Sequence, residues 1–125
     1  MRAPDDFLVY GAPLIEDAEI SEVVDSMEAV WLGTGPKVAR FEDEFRAYKQ
    51  AENAIAVNSC TAALHLSLVA AGVGPGDEVI TSALTFCATV NAIMHAGATR
   101  VLADVDSETQ NIDPVDVEAR ITPHT

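Results

Sequence analysis

The sequence predicts an α/β fold built from βαβ units with a mostly parallel sheet, and two observations support this class. Short runs typical of strands recur at residues 54–57, 78–81 and 99–103, with similar spacing between them. Apolar stretches of helical length lie between these runs, and a strand–helix–strand order of this kind indicates parallel crossovers. The chain has 125 residues, 49% of them apolar, which is enough to build a hydrophobic core.

The first half of the chain predicts an arm and two amphipathic helices. Residues 1–16 are polar and interrupted by proline, so we expect an extended arm. Two helical segments follow, near residues 20–31 and 37–49, and the glycines and proline of residues 33–36 separate them. Their apolar positions recur three and four residues apart. These positions are Ile20, Val23, Val24, Met27, Val30 and Trp31 in the first segment, and Val38, Phe41, Phe45 and Tyr48 in the second.

The second half predicts alternating strands and helices. The run at residues 54–57 is apolar throughout and is predicted to be a buried strand. Residues 62–71 predict a helix that is apolar on nearly all sides and therefore buried, and residues 86–95 predict the next helix. Asp113 and Pro114 predict the N-cap and the first position of a last short helix. No closing strand or helix follows, so we expect a truncated domain.

The charge balance excludes several classes of partner. Seven Lys and Arg against 20 Asp and Glu give a net charge of −13, too acidic to bind nucleic acid or an anionic membrane. No apolar run approaches the ~18 residues of a membrane span, and residues 1–6 do not look like the start of a signal peptide. We therefore expect a cytoplasmic protein, with Cys60 and Cys87 as reduced, partly buried thiols.

The most informative turn is residues 58–62, with the sequence NSCTA. It joins a predicted strand to a predicted helix, so it lies at the carboxyl edge of the sheet, where open α/β folds bind ligands. Free backbone N–H groups at a helix N-terminus bind phosphate well, and Ser59 and Thr61 add hydroxyl groups. Two interpretations stay open on these residues alone: a phosphate site, or a helix that Ser59 simply caps.

The second turn, residues 82–86, follows the next predicted strand in the same way. Phe86 at its end has two interpretations: a core residue, or an aromatic ring that lies against a planar ligand.

Five blocks of the sequence together resemble one family. They are GTGPKV at residues 33–38, NSCTAALHL at 58–66, a third block that runs from GPGDEVIT at 74–81 through 85–89, a fourth at 104–114 and a fifth at 121–123. This series resembles the DegT/DnrJ/StrS sugar aminotransferases, which are pyridoxal 5'-phosphate (PLP) enzymes of fold type I. The resemblance covers Tyr10 to the last residue. It implies that residues 17–125 are the incomplete N-terminal part of the PLP-binding large domain, behind the arm at 1–16.

The resemblance also implies roles for individual residues. The family positions that match Cys60, Thr61 and Ala62 hold the phosphate of PLP. An aromatic residue at the position of Phe86 stacks on the pyridine ring. Asn91 falls at a position that is often asparagine and faces the site.

The implied activity is PLP-dependent transfer of an amino group from an amino acid such as glutamate to a keto-sugar nucleotide, by a homodimer. This chemistry also needs a Schiff-base lysine and a carboxylate at the pyridine nitrogen. In the family both lie beyond the matched part, and we expect Lys37 and Lys49 to be surface lysines, so the chain should be inactive alone. A relative with histidine in place of that lysine stays open. The alternative is a truncated, non-catalytic α/β module that binds PLP or phosphate weakly, or associates with a full-length relative.

Overall fold

The computed structural model describes residues 11–125. They form two compact units, of which the first ends at Ala56 and the second is Val57–Thr125. Residues 1–10 of the expected arm lie outside the described part, and residues 11–16 contain no helix or strand. The division into an arm and a domain at residue 16 therefore stays a prediction.

The first unit contains the two helices that the apolar stripes predict. Helix α1 is Asp17–Glu28 and helix α2 is Pro36–Lys49. The Glu22 carboxylate connects them, because Lys37 Nζ lies 2.6 Å from one of its oxygens and Arg40 Nη2 lies 3.3 Å from the other. Hydrogen bonds from these two cations hold the pKa of Glu22 below its usual value.

The loop between α1 and α2 is shaped by one tryptophan. The Trp31 indole N–H donates a hydrogen bond to the Thr34 carbonyl oxygen at 3.0 Å, and the ring lies directly over Gly35. A Cβ atom at Gly35 would overlap the indole. Glycine is therefore required here because the indole leaves no room for a side chain. Its backbone is extended, a conformation that any residue can adopt.

The expectation of a buried strand at residues 54–57 is wrong. The structure has no strand there, Ile55 is 83% exposed, and the Ala56 N–H donates to a Glu42 side-chain oxygen. An apolar run becomes a strand only where a neighbouring strand accepts its backbone hydrogen bonds. Within the described residues the sheet has two strands, and neither pairs with this segment.

The second unit is built around one of the predicted parallel βαβ crossovers, the one that joins the last two predicted strands. Strand β1 is Glu78–Ser82 and strand β2 is Thr99–Ala103, paired in register from one end to the other. Helix α3 is Cys60–Ala70, and helix α4, Cys87–His95, connects the strands. Helix α4 packs on both strands and on α3. The buried apolar residues all come from α4, β2 and the turn between them: Ala92, Ile93, Ala98 and Ala103.

Helix α3 has the predicted position but not the predicted burial. Its sequence is apolar on nearly all sides, yet none of its residues is buried, and Leu66 and Val69 are each 51% exposed. The longest helix, α2, has 14 residues, and no helix within residues 11–125 is both long and apolar enough to cross a bilayer.

Helix α5 is Pro114–Ala119, and it begins as predicted, because the Asp113 side chain accepts a hydrogen bond from the Val115 N–H. The Asp116 carboxylate in this helix then accepts from the Asp104 N–H at 2.6 Å and from Arg120 Nε at 2.7 Å. These contacts attach α5 to the end of β2.

The attachment of α5 should depend on pH. The Arg120 hydrogen bond, followed by that of the Asp104 N–H, lowers the pKa of Asp116 from 3.8. Because the pKa of Asp116 is lower in the folded than in the unfolded state, its ionised carboxylate stabilises the folded state at pH values above 3.8. This stabilisation is lost as the pH falls through the lower, folded-state pKa. Hydrogen-exchange protection of the Asp104 amide should therefore be full at neutral pH and fall below pH 3.8. An Asp116→Asn variant should show no such transition, and a transition that persisted in it would contradict the assignment.

Candidate functional site

The N-terminus of α3 carries free hydrogen-bond donors. Ser59 is its N-cap, and the Ser59 Oγ accepts a hydrogen bond from the Ala62 N–H at 3.1 Å. Among residues 11–125, no acceptor binds the N–H groups of Cys60 or Thr61. These two donors stand at the positive end of the helix dipole, which favours an anion. The capping interpretation of Ser59 is therefore correct, and it leaves two amides available.

The side chains around these amides are small and accessible. Cys60 and Thr61 are exposed and Ala62 is half-buried, so a bulky ligand can approach the backbone closely. The expectation of partly buried thiols is wrong: Cys60 and Cys87 are both exposed. Each is the first residue of its helix.

The contribution of the Ser59 cap can be measured directly. Removing the hydroxyl with Ser59→Ala leaves the Ala62 N–H without its partner and should destabilise α3 by about 1 kcal/mol. Amide hydrogen exchange in α3 reports this loss. Ser67→Ala on the same helix is the matched control, because no hydrogen bond involves its hydroxyl within the described residues. Equal effects of the two substitutions would contradict a capping role.

The N-terminus of α4 presents an aromatic ring. Phe86 is the N-cap residue, with extended backbone (φ −69°, ψ 142°), and its ring is 78% exposed. Of the two interpretations of Phe86, the core residue is excluded within the described part of the chain. The ring has the accessible face that a planar ligand needs.

Two threonines on either side of Phe86 form a contact that the sequence did not reveal. The Thr85 and Thr89 hydroxyl oxygens lie 2.9 Å apart, and the Thr89 N–H donates to the Phe86 carbonyl oxygen at 3.0 Å. The sequence feature that indicates this contact is a pair of threonines four residues apart across the start of a helix, a spacing at which side chains meet.

The N-termini of α3 and α4 lie at the same edge of the sheet. The parallel strands both begin at the opposite edge, and each helix leads into one of them. The turns after the helices meet there, since Gly97 packs against the Pro75 ring. His65 of α3 and His95 of α4 also meet edge to face, with ring centroids 6.0 Å apart. Helices α3 and α4 therefore run side by side in the same direction.

Two further polar residues are Asn91, a predicted site residue, and Asp106, which lies in the matched block at 104–114. Asn91 is exposed on α4, and no hydrogen bond of its side chain appears within residues 11–125. Asp106 Oδ1, just past β2, accepts from the backbone N–H groups of Thr109 and Glu108, and the Thr109 contact lowers the pKa of this carboxyl. Residues 11–125 contain no cluster of three side chains suited to a metal ion.

Comparison with known proteins identifies the family. The model of the DegT/DnrJ/EryC1/StrS aminotransferase family matches residues 13–125. The chain belongs to this family, and the resemblance seen in its sequence is confirmed. A spore coat polysaccharide biosynthesis protein, SpsC of Bacillus subtilis, is 60% identical over 119 residues, which are 95% of this chain and 31% of that protein.

Solved structures agree with this assignment. A candidate sugar aminotransferase from Streptococcus pneumoniae, in its PLP form, matches with a TM-score of 0.89 at 42% identity, over 94% of this chain and 30% of that one. NtdA from Bacillus subtilis, with the bound cofactor pyridoxamine phosphate (PMP), matches with a TM-score of 0.81 at 32% identity, over 96% and 30%. The fold is thus the N-terminal part of a PLP-dependent aminotransferase fold, and the chain spans about a third of the length of its relatives.

Proposed function

We propose that this chain supplies the phosphate cradle and the ring-stacking aromatic of a PLP-dependent aminotransferase. One observation carries the proposal: two free amides at the start of α3 face the same sheet edge as the exposed Phe86 ring. PLP combines a phosphate dianion with a flat pyridine ring, so it needs an anion site and an aromatic surface near each other. The donor set of this chain fits both requirements.

Each residue has a defined task in this proposal. The N–H groups of Cys60 and Thr61 and the Thr61 hydroxyl hold the phosphate, and Ala62 keeps the approach open. Phe86 lies against the pyridine ring, and Asn91 offers a side-chain amide on the exposed side of α4. PLP, when bound, supplies an electron sink for the carbon from which the amino group leaves.

The chain alone should not transaminate. Lys37 is held by Glu22, and Lys49 lies 5.1 Å from the ring centre of Tyr48, so both lysines belong to contacts of the first unit. We propose that the Schiff-base lysine and the carboxylate that protonates the pyridine nitrogen come from the rest of a longer protein. The charge of −13 also repels a polyanionic ligand at long range, so cationic side chains should come from elsewhere.

The proposed substrates are a keto-sugar nucleotide and an amino donor such as glutamate. The polysaccharide role in the name of SpsC supports a sugar acceptor. We further propose that the longer protein is a cytoplasmic homodimer, with a second subunit completing the pocket.

The test uses pyridoxine 5'-phosphate, which lacks the PLP aldehyde and so cannot react with Lys37 or Lys49. Equilibrium dialysis should show binding to the chain, weakened by Thr61→Ala and by Phe86→Ala. Unchanged affinity in both variants would refute the cradle. For the reaction, transfer of labelled nitrogen from glutamate to a keto-sugar nucleotide should require a longer protein containing this segment and should be absent with the chain alone.

A non-catalytic role is favoured by a different observation. Large apolar side chains remain exposed on both units, among them Phe41 at 56% and Leu102 at 45%. Exposed apolar surface of this kind promotes association, so a module that pairs with a full-length relative is the second candidate. Sedimentation should then show oligomers or a mixed complex, whereas a monomer that binds no relative would refute this candidate.

A further inference from the structure

We propose that Thr89 is a positioning residue that fixes Phe86 for ring stacking, through its paired contacts with Thr85 and Phe86. The inference rests on the proposed role of Phe86, and it assigns a task to two threonines that the family resemblance did not single out.

Thr89 makes two contacts that restrain the backbone around Phe86. Its N–H binds the Phe86 carbonyl oxygen at 3.0 Å, and its hydroxyl lies 2.9 Å from the hydroxyl of Thr85, the residue before Phe86. The backbone of Phe86 is therefore held at the residue itself and at its N-terminal neighbour. Rotation of the 85–86 segment would break one or both contacts.

These contacts of Thr89 matter because Phe86 occupies the N-cap position of α4, which usually holds a capping side chain. Ser, Thr, Asp and Asn are preferred at the N-cap, since their oxygens accept from the first free amides. Phe86 has no such oxygen, and α4 has no side-chain cap hydrogen bond. With its ring 78% exposed, Phe86 has little packing to hold it either. Instead, the Thr85–Thr89 hydroxyl contact and the Thr89 N–H hydrogen bond connect the first turn of α4 to residues 85 and 86.

The experiment compares three probes: pyridoxine 5'-phosphate, pyridoxine without the phosphate, and inorganic phosphate. Thr89→Val keeps the branched shape but removes the hydroxyl, and Thr89→Ser keeps the hydroxyl. We expect Thr89→Val to weaken pyridoxine and pyridoxine 5'-phosphate by about 3- to 10-fold, the range of an aromatic contact. Inorganic phosphate should bind unchanged, and Thr89→Ser should bind all three like the wild type.

The Phe86→Ala background separates positioning from general stability. Thr89→Val should have no further effect on pyridoxine affinity once the ring is gone, and Thr85→Val should reproduce the effect of Thr89→Val in the wild-type background. The positioning role would be overturned if Thr89→Val weakened all three probes equally. It would also be overturned if Thr89→Val lowered pyridoxine affinity in the Phe86→Ala background as much as it does in the wild type. If the wild type bound no pyridoxine 5'-phosphate, the proposed function would fail first. If the wild type bound it and Thr89→Val matched the wild type, the inference alone would fail.

Discussion

Replacing Ile93 by alanine should lower the free energy of unfolding of the second unit by about 2–5 kcal/mol. Ile93 is 2% exposed and lies on α4, the helix that packs on both strands and on α3. Truncating it leaves a cavity at the centre of this unit. Small domains are stable by only about 5–15 kcal/mol, so the substitution removes a large part of the total. Thermal and denaturant unfolding followed by far-ultraviolet circular dichroism measures the change.

Ile121→Ala is the matched control for this prediction. It makes the same chemical change at a side chain that is 60% exposed, so little transfer free energy is lost. Its effect should stay within about 0.5 kcal/mol, as for other surface substitutions. Comparable losses at both positions would mean that the core does not lie on α4.

Replacing Cys60 by proline should weaken the binding of inorganic phosphate and of pyridoxine 5'-phosphate by about 10- to 100-fold. Proline removes the backbone N–H at this position, and a hydrogen bond to a charged group contributes about 1.5–3 kcal/mol. The helix should survive the change, because the first helical position tolerates proline. Pro36 and Pro114 already occupy that position in α2 and α5. Ser59, the preceding residue, has the extended backbone that proline requires.

Cys60→Ala is the control that keeps the amide and removes only the thiol. It should bind both phosphate probes like the wild type, and both variants should retain the helical dichroism of the wild type. A large loss in Cys60→Ala would assign the binding to the sulfur. Normal phosphate affinity in Cys60→Pro would exclude the Cys60 N–H from the cradle.

The βαβ core was predictable because its sequence pattern matches the contacts it makes. The run at 78–81 follows a turn rich in glycine and proline, and the run at 99–103 lies between Gly97 and Asp104. The two runs are each other's partners. The run at 54–57 is more apolar than either of them but has no partner strand within residues 11–125, so composition alone gave the wrong element. A strand is a property of a pair of segments, whereas a helix such as α5 is specified by its own cap, Asp113, and by Pro114.

The candidate site was predictable in position more than in detail. The turn at 58–62 indicated a helix N-terminus, which the structure has, although the strand expected before it does not form. Burial was harder to predict, since the exposure of Cys60, Cys87 and the α3 side chains depends on which segments pack over them. The Thr85–Thr89 contact was missed because two threonines near a helix start are also common on surfaces without any contact.

The aromatic residues are distributed unequally between the two units. Every tryptophan and tyrosine of the chain precedes residue 57, and Trp31 is the single tryptophan. Its fluorescence therefore reports on the loop over Gly35 in the first unit. The second unit contains one aromatic hydrocarbon ring, that of Phe86. The phenylalanine signal of residues 57–125 thus comes from the proposed stacking residue alone.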